Sequence, residues 1–226
     1  TEKHKSTERT KTITIRIWTE QRPIDSIVSV NVAITIVVDA IAVLICIWVK
    51  AVIEVVDDHD FDPMAIVLTH GHSDHIAGVS TMKQRWPSAP VLIGHGDAAK
   101  LTDPVANLSA GYGIDVKSPP ADILLREDED LRVGEFCATV AEIPGHSVGH
   151  IVFWFATDPI LVLAGDVLFR EGVGRTDFSD GDFSSLATGI LNKLYKLPDS
   201  AIVLPGHGEP TTIGHEKKHN PFVPLP

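Results

Sequence analysis

Seven side chains able to ligate metal stand in four clusters along this chain, each beside a glycine at the end of an apolar run. They are His70, His72, Asp74 and His75 in the stretch Thr69-His-Gly-His-Ser-Asp-His75, then His146, Asp166 and His207. Gaps of 71, 20 and 41 residues separate His75, His146, Asp166 and His207, a spacing that suits a single domain whose ligands arrive from several strand ends. A lone loop histidine is usually solvated or internally satisfied, but four candidates within six residues do not fit that explanation. His70 and His72 follow the strand-like run Ala65–Leu68, so an extended or tightly turned backbone aims both at one point. Asp74 and His75 fall on the next turn, where a helix beginning near Gly78 is expected to present them to a neighbouring ion. First-row divalent metals accept imidazole and carboxylate ligands, and catalytic sites leave a position open for water. Three imidazoles for one ion, two imidazoles and a carboxylate for the other, and a shared Asp account for every member.

Composition narrows the setting. A chain of 226 residues is long enough for one sizeable domain and short for two. The net charge of −11, with no Lys/Arg run in the ligand-bearing half, argues against a nucleic-acid partner. Cys46 and Cys137 are the only cysteines; they build no disulfide framework, and a reducing cytoplasm is the expected compartment. No membrane association is expected, because a span needs about 20 apolar residues and Ala40–Val49 supplies ten between charges. Oligomeric state leaves no mark in the sequence.

From Phe61 onward, apolar runs (Ala65–Leu68, Pro90–Ile93, Phe136–Ile143, Ile151–Phe155, Ile160–Ala164, Ala201–Leu204) alternate with helical-looking stretches, the pattern of an α/β fold. In Phe183–Leu197 the apolar residues Leu186, Ile190, Leu194 and Leu197 recur at helical spacing, with Ser184 or Asp182 available as N-cap. Residues 1–60 form an atypical part of the single domain: they contain no glycine, although all 17 lie between Gly71 and Gly214. Residues 61–222 carry the motifs.

The cluster at 69–75 resembles the His-x-His-x-Asp-His signature of the metallo-β-lactamase superfamily, and the later clusters come in the order that family uses. Pro144-Gly-His-Ser-Val-Gly-His150 resembles a stretch of glyoxalase II-like hydrolases, Leu163-Ala-Gly-Asp166 the strand end with the bridging Asp, and Leu204-Pro-Gly-His-Gly208 the last-ligand loop. In residues 1–60 only Val37-Val-Asp39 falls where that family has a matching turn. The resemblance implies an αββα four-layer sandwich, two mixed β-sheets with helices on both outer faces and the site along one sheet edge. It implies a dinuclear centre: His70, His72, His146 and Asp166 on one ion, Asp74, His75, Asp166 and His207 on the other. Zinc is the first expectation for the two divalent ions, and iron or manganese also suits such ligands.

Two close cations lower the pKa of a bridging water, so a metal-bridging hydroxide is the expected nucleophile and hydrolysis the natural output. Asp74 is expected to orient that nucleophile as well as to ligate. No Gly-x-Ser-x-Gly elbow offers an alternative. His150 is a candidate for holding a ligand in place from behind, with a purely structural role equally open. The loop Gly172-Val-Gly-Arg-Thr-Asp177 resembles that of short glyoxalase II-like proteins, which implies a small-molecule thioester, possibly glutathione-linked, with Arg175 and more weakly Arg170 meeting a substrate carboxylate. A structural Arg175–Asp177 pair is the competing reading. A mononuclear Fe(II) persulfide dioxygenase of the same superfamily and a non-catalytic metal-binding protein are the alternatives in function.

Overall fold

The computed structural model describes residues 51–134 and 136–225. The expectations placed on Val37-Val-Asp39, Ala40–Val49 and Cys46 lie outside the described residues. The first described element, α1, is helical over residues 51–58. Strands β1 (Ile66–Val67), β2 (Val91–Gly94) and β3 (Ile123–Leu125) then form a sheet in the order β1-β2-β3, parallel at both junctions. Strands β4 (Asp130–Val133), β5 (Phe136–Glu142), β6 (Ile151–Phe155), β7 (Leu161–Gly165), β10 (Ile202–Pro205) and β11 (Thr211–Thr212) make a second sheet in the order β11-β10-β7-β6-β5-β4. It is mixed: β10 pairs parallel with β7 and the other junctions are antiparallel. A short hairpin, β8 (Leu168–Phe169) and β9 (Gly172–Val173), stands apart.

Strand side chains alternate between faces, and here the two faces feed different cores. Ile66 and Leu68 join a cluster with Val56 of α1 and with Val79 and Met82 of α3 (Val79–Arg85). Ala65 and Val67 join Ile151, Phe153 and Leu163 between the two sheets. Val162 and Ala164, one step out of phase with Leu163, face Leu186 and Ile190 of α4 (Phe183–Asn192) and Ile213 of α5 (Ile213–His219). Helix, sheet, sheet and helix are thus held by three successive apolar layers, the four-layer arrangement the motifs imply.

The expected strands appear within a residue or two of their predicted bounds. Two helical expectations need correction. Asp74 and His75 lie not at the head of the helix beyond Gly78 but on a separate turn, α2 (Ser73–Ile76), whose first N–H, that of Ser73, is satisfied at 3.0 Å by the carbonyl of buried Asn107. The helix expected to reach Leu197 ends at Asn192 and passes into a 3₁₀ turn, Leu194–Lys196. Pro198 disfavours helical backbone at Leu197, which is extended. Asp182, not Ser184, is the N-cap, its carboxylate accepting the Ser185 N–H at 2.6 Å.

Candidate metal centre

Strands β5, β7 and β10 run in one direction, so their C-terminal ends share an edge of the second sheet. His146 follows β5, Asp166 follows β7, and His207 follows β10. The end of β1 reaches the same edge, because the Thr69 carbonyl accepts the Ile151 N–H at 2.9 Å; His70 and His72 come next. The chain turns into Asp166 through Gly165, whose φ is +48° and whose Cβ, if present, would lie 2.6 Å from Thr69 Oγ1. Only glycine tolerates both the conformation and the approach.

All seven expected side chains converge. The ligating atoms of His70, His72 and His146 lie within 4.8 Å of one another, as do those of His70, His75 and Asp166 and those of Asp74, His75 and His207. Asp166 stands between the sets: its Oδ2 is 3.5 Å from His146 Nε2 and 3.5 Å from His207 Nε2, and its Oδ1 is 3.4 Å from His75 Nε2. Asp74 Oδ2 is 3.2 Å from His207 Nε2, and His72 Nδ1 is 2.9 Å from His146 Nε2. A first-row ion with bonds near 2.0–2.2 Å keeps its adjacent ligand atoms roughly 3.0–3.5 Å apart, so these residues fit a metal centre. A second observation agrees. The Nε2 atom of His70 is buried without a hydrogen-bond partner, an arrangement that costs free energy unless something else engages the lone pair.

Tautomers are fixed from behind. His146 Nδ1 donates to the Arg175 carbonyl at 2.8 Å, leaving its Nε2 as a lone pair towards the cluster. His150 is wholly buried, stacks on His70 with centroids 4.6 Å apart, and accepts the Asp166 N–H on Nε2 at 3.0 Å. It stands behind the cluster, holding the Asp166 backbone. Burial, reinforced by the neighbouring imidazoles, lowers the pKa of His70 well below its ordinary value and that of His72 to about 3. Burial lowers His146 in the same way. For Asp166 and Asp74 burial works in the opposite sense, but it is outweighed: contacts to His75 for Asp166, and to His207 and His75 for Asp74, hold both carboxyls below the usual range. Neutral imidazoles and ionised carboxylates are the protonation states that metal ligation requires.

The rim holds what sequence reasoning missed. Phe178 stands edge-on to His72 and His146, with centroids 5.2 and 5.7 Å away, and the Arg175 guanidinium lies 4.7 Å from the centre of its ring. Phe178 lay in the motif-bearing loop, but no spacing rule marks an aromatic as a site wall. Arg175 is engaged by Asp177 through two hydrogen bonds of 2.9 and 2.8 Å, the competing pair considered above. Arg170 is exposed in the β8–β9 turn and pairs with Glu209 at 3.4 Å, beside the His207 loop. Among the described residues no helix is long and apolar enough to cross a membrane.

With the centre in view, comparison with known proteins places the chain. The model of the metallo-β-lactamase superfamily matches residues 39–207, and the chain belongs to that superfamily. It is 40% identical over 162 residues to the probable metallo-hydrolase YqgX of Bacillus subtilis (strain 168), covering 71% of this chain and 76% of that one. It is 34% identical to the hydroxyacylglutathione hydrolase GloC of Haemophilus influenzae (strain ATCC 51907 / DSM 11121 / KW20 / Rd), covering 77% and 82%. Among solved structures, the BLEG-1 B3 metallo-β-lactamase aligns with a TM-score of 0.74 at 38% identity, covering 77% of this chain and 84% of that one. TTHA1623 in a di-iron-bound form aligns with a TM-score of 0.65 at 32% identity, covering 76% and 84%. The fold is that of the metallo-β-lactamases, and the centre is a His-rich site of a metal-dependent hydrolase family.

Proposed function

We propose that this chain is a dinuclear metal-dependent hydrolase of thioesters, of the hydroxyacylglutathione type. The observation that carries the dinuclear reading is the position of Asp166, one carboxylate within 3.5 Å of imidazoles from both sets. His70, His72, His146 and Asp166 would hold one ion, and Asp74, His75, Asp166 and His207 the other. Bound ions would lower the pKa of coordinated water and polarise the carbonyl oxygen of the substrate. The chain's own groups do the rest. Asp74, about a third exposed beside His207, is placed to accept a hydrogen bond from an attacking water and orient it. Phe178 closes one side of the cluster and keeps bulk water from His72 and His146. Arg175, exposed at the rim, offers a planar fork to a substrate carboxylate once it lets go of Asp177. A thiolate leaves with little protonation, so no separate general acid is needed. The 34% identity to GloC supports the thioester class, and the two cysteines favour a cytoplasmic setting. Zinc is our first choice of metal, although the di-iron relative makes iron a direct competitor.

The deciding measurement combines metal content of the purified protein with hydrolysis of a hydroxyacylglutathione thioester and oxygen uptake on a persulfide. Two ions per chain and thioester turnover are expected. One iron per chain with oxygen uptake would move the assignment to a persulfide dioxygenase, and metal with neither activity to a binding protein.

A further inference from the structure

Asp97 is a carboxylate with no exposed surface, and its partners lie in the two loops that carry the three-imidazole set. Its Oδ2 accepts the N–H of Gly71, the residue between His70 and His72, at 2.8 Å. Its Oδ1 accepts the N–H of Gly149 at 2.8 Å, and the hydroxyl of Ser147, next to His146, donates to Oδ2. Lys100, one turn along the same 3₁₀ segment (His95–Leu101), sits with Nζ 3.5 Å from Asp97 Oδ1. Its ammonium donates to Ser147 Oγ and, at 2.6 Å, to Asp180, which also accepts the Val148 N–H at 3.2 Å. There is no spare room at this crossing: a Cβ on Gly149 would lie 2.1 Å from the Asp97 nitrogen. The loop leaving the first sheet and the loop leaving β5 are therefore tied to each other through one carboxylate. No comparable link to Asp97 runs from Asp74, His75 or His207 among the described hydrogen bonds.

We propose that Asp97, seated by Lys100, is a positioning residue for the ion held by His70, His72 and His146, and for that ion alone. The inference rests on the reading of the cluster as a dinuclear centre. Imidazoles 2.9 Å apart at their nitrogens keep their separation only if both backbones stay put, and charge-assisted hydrogen bonds to one buried anion are the strongest short tie available. Asn at position 97 keeps the shape but turns an amide N–H₂ towards groups that are themselves donors, and leaves Lys100 with Asp180 as its anionic neighbour.

The test is a chelator competition with zinc as the probe, run in two single-ion backgrounds. His207→Ala leaves the buried set as the tighter site, and His146→Ala leaves the set of Asp74, His75 and His207. Adding Asp97→Asn is expected to weaken zinc about 10–100-fold in the His207→Ala background, the usual scale for groups that orient ligands, and less than about threefold in the His146→Ala background, since the hydrogen bonds of Asp97 go to Gly71, Ser147 and Gly149 and to none of Asp74, His75 and His207. Thermal melts check that each variant is folded. Should Asp97→Asn fail to fold, Ser147→Ala replaces it, with a weakening of threefold or more expected on the same side only. Equal weakening in both backgrounds, or none in either, overturns the proposal by making Asp97 a general structural group or an idle one. A wild-type chain that binds no zinc, iron or manganese overturns the underlying reading of the centre instead, and is distinguished by being visible before any Asp97 variant is made.

Discussion

Set side by side, the two halves of the centre differ in how they are supported. His70, His72 and His146 are buried, with backbones cross-tied through Asp97 and with the His146 ring fixed by the Arg175 carbonyl. Asp74 and His207 are 31% and 42% exposed in their side chains, and they come from a single helical turn and from a loop flanked by glycines. A buried, cross-tied set holds its geometry before anything binds, which favours retention of an ion. A half-open set leaves room for water and substrate to approach. On the proposed function, the first half is the anchor and the second is where the reaction meets solvent.

Asp166 is the point at which the comparison breaks most completely, because it belongs to both halves. Asp166→Ala is expected to lose metal from each and to cut turnover at least about 100-fold. Metal analysis and steady-state kinetics check this together; two retained ions with near-normal turnover would mean that the halves are not joined through this carboxylate.

Asp74→Ala isolates the open half. Turnover is expected to fall about 10–100-fold while one chelator-resistant ion remains with the three imidazoles. If the ion that remains is as easily stripped as the one that left, burial and cross-ties do not distinguish the halves.

Acid should act first on the buried half. An unfolded histidine takes up a proton near its ordinary value of 6.5, whereas His72 in the fold resists protonation down to about 3, with His70 and His146 shifted in the same direction. The unfolded state therefore binds more protons across that window, and stability falls as pH is lowered from 6.5 towards 3. Each such histidine contributes about 1.4 kcal/mol per pH unit at most. The carboxyls of Asp74 and Asp166, held low in the fold, add a loss of the same sign below 3.8. Denaturant midpoints of chelator-treated protein between pH 7 and pH 4 check the slope. A flat profile across that range would show that these imidazoles are not desolvated as their burial indicates.

Much of this contrast was legible in the sequence, and the reasons are physical. The convergence of the seven candidate side chains could be read because each cluster sits where an apolar strand run stops near glycine, and β1, β5, β7 and β10 lie where those runs predict. Strands with weak apolar signatures escaped: β4 is an edge strand with Asp130 and Arg132 exposed, and β8 and β9 are two residues each. The support of the buried half was also invisible. Asp97 is a single acidic residue 26 positions from Gly71 and 52 from Gly149, and nothing local marks a carboxylate whose partners are backbone amides of other loops. The open half was misplaced by one helical turn because the carbonyl that starts α2 comes from Asn107, 34 positions beyond Ser73.

The smallest expected effect lies at the rim, where Arg175 is shared between Asp177 and Phe178. Both groups of the Arg175–Asp177 pair are about two-thirds exposed, and such pairs contribute little because water competes for each charge. The guanidinium can therefore exchange Asp177 for a substrate carboxylate without much loss. Arg175→Ala should raise KM for a carboxylated thioester about 3–10-fold and change kcat less than about twofold, the pattern of lost uniform binding. Asp177→Asn separates the two readings more sharply than removal of the arginine does. If Arg175 meets substrate, freeing it from its partner leaves KM unchanged or lowers it. If the pair instead braces the loop whose Arg175 carbonyl orients His146, Asp177→Asn lowers kcat and loosens the buried ion, and the rim belongs with the anchor half rather than with the substrate.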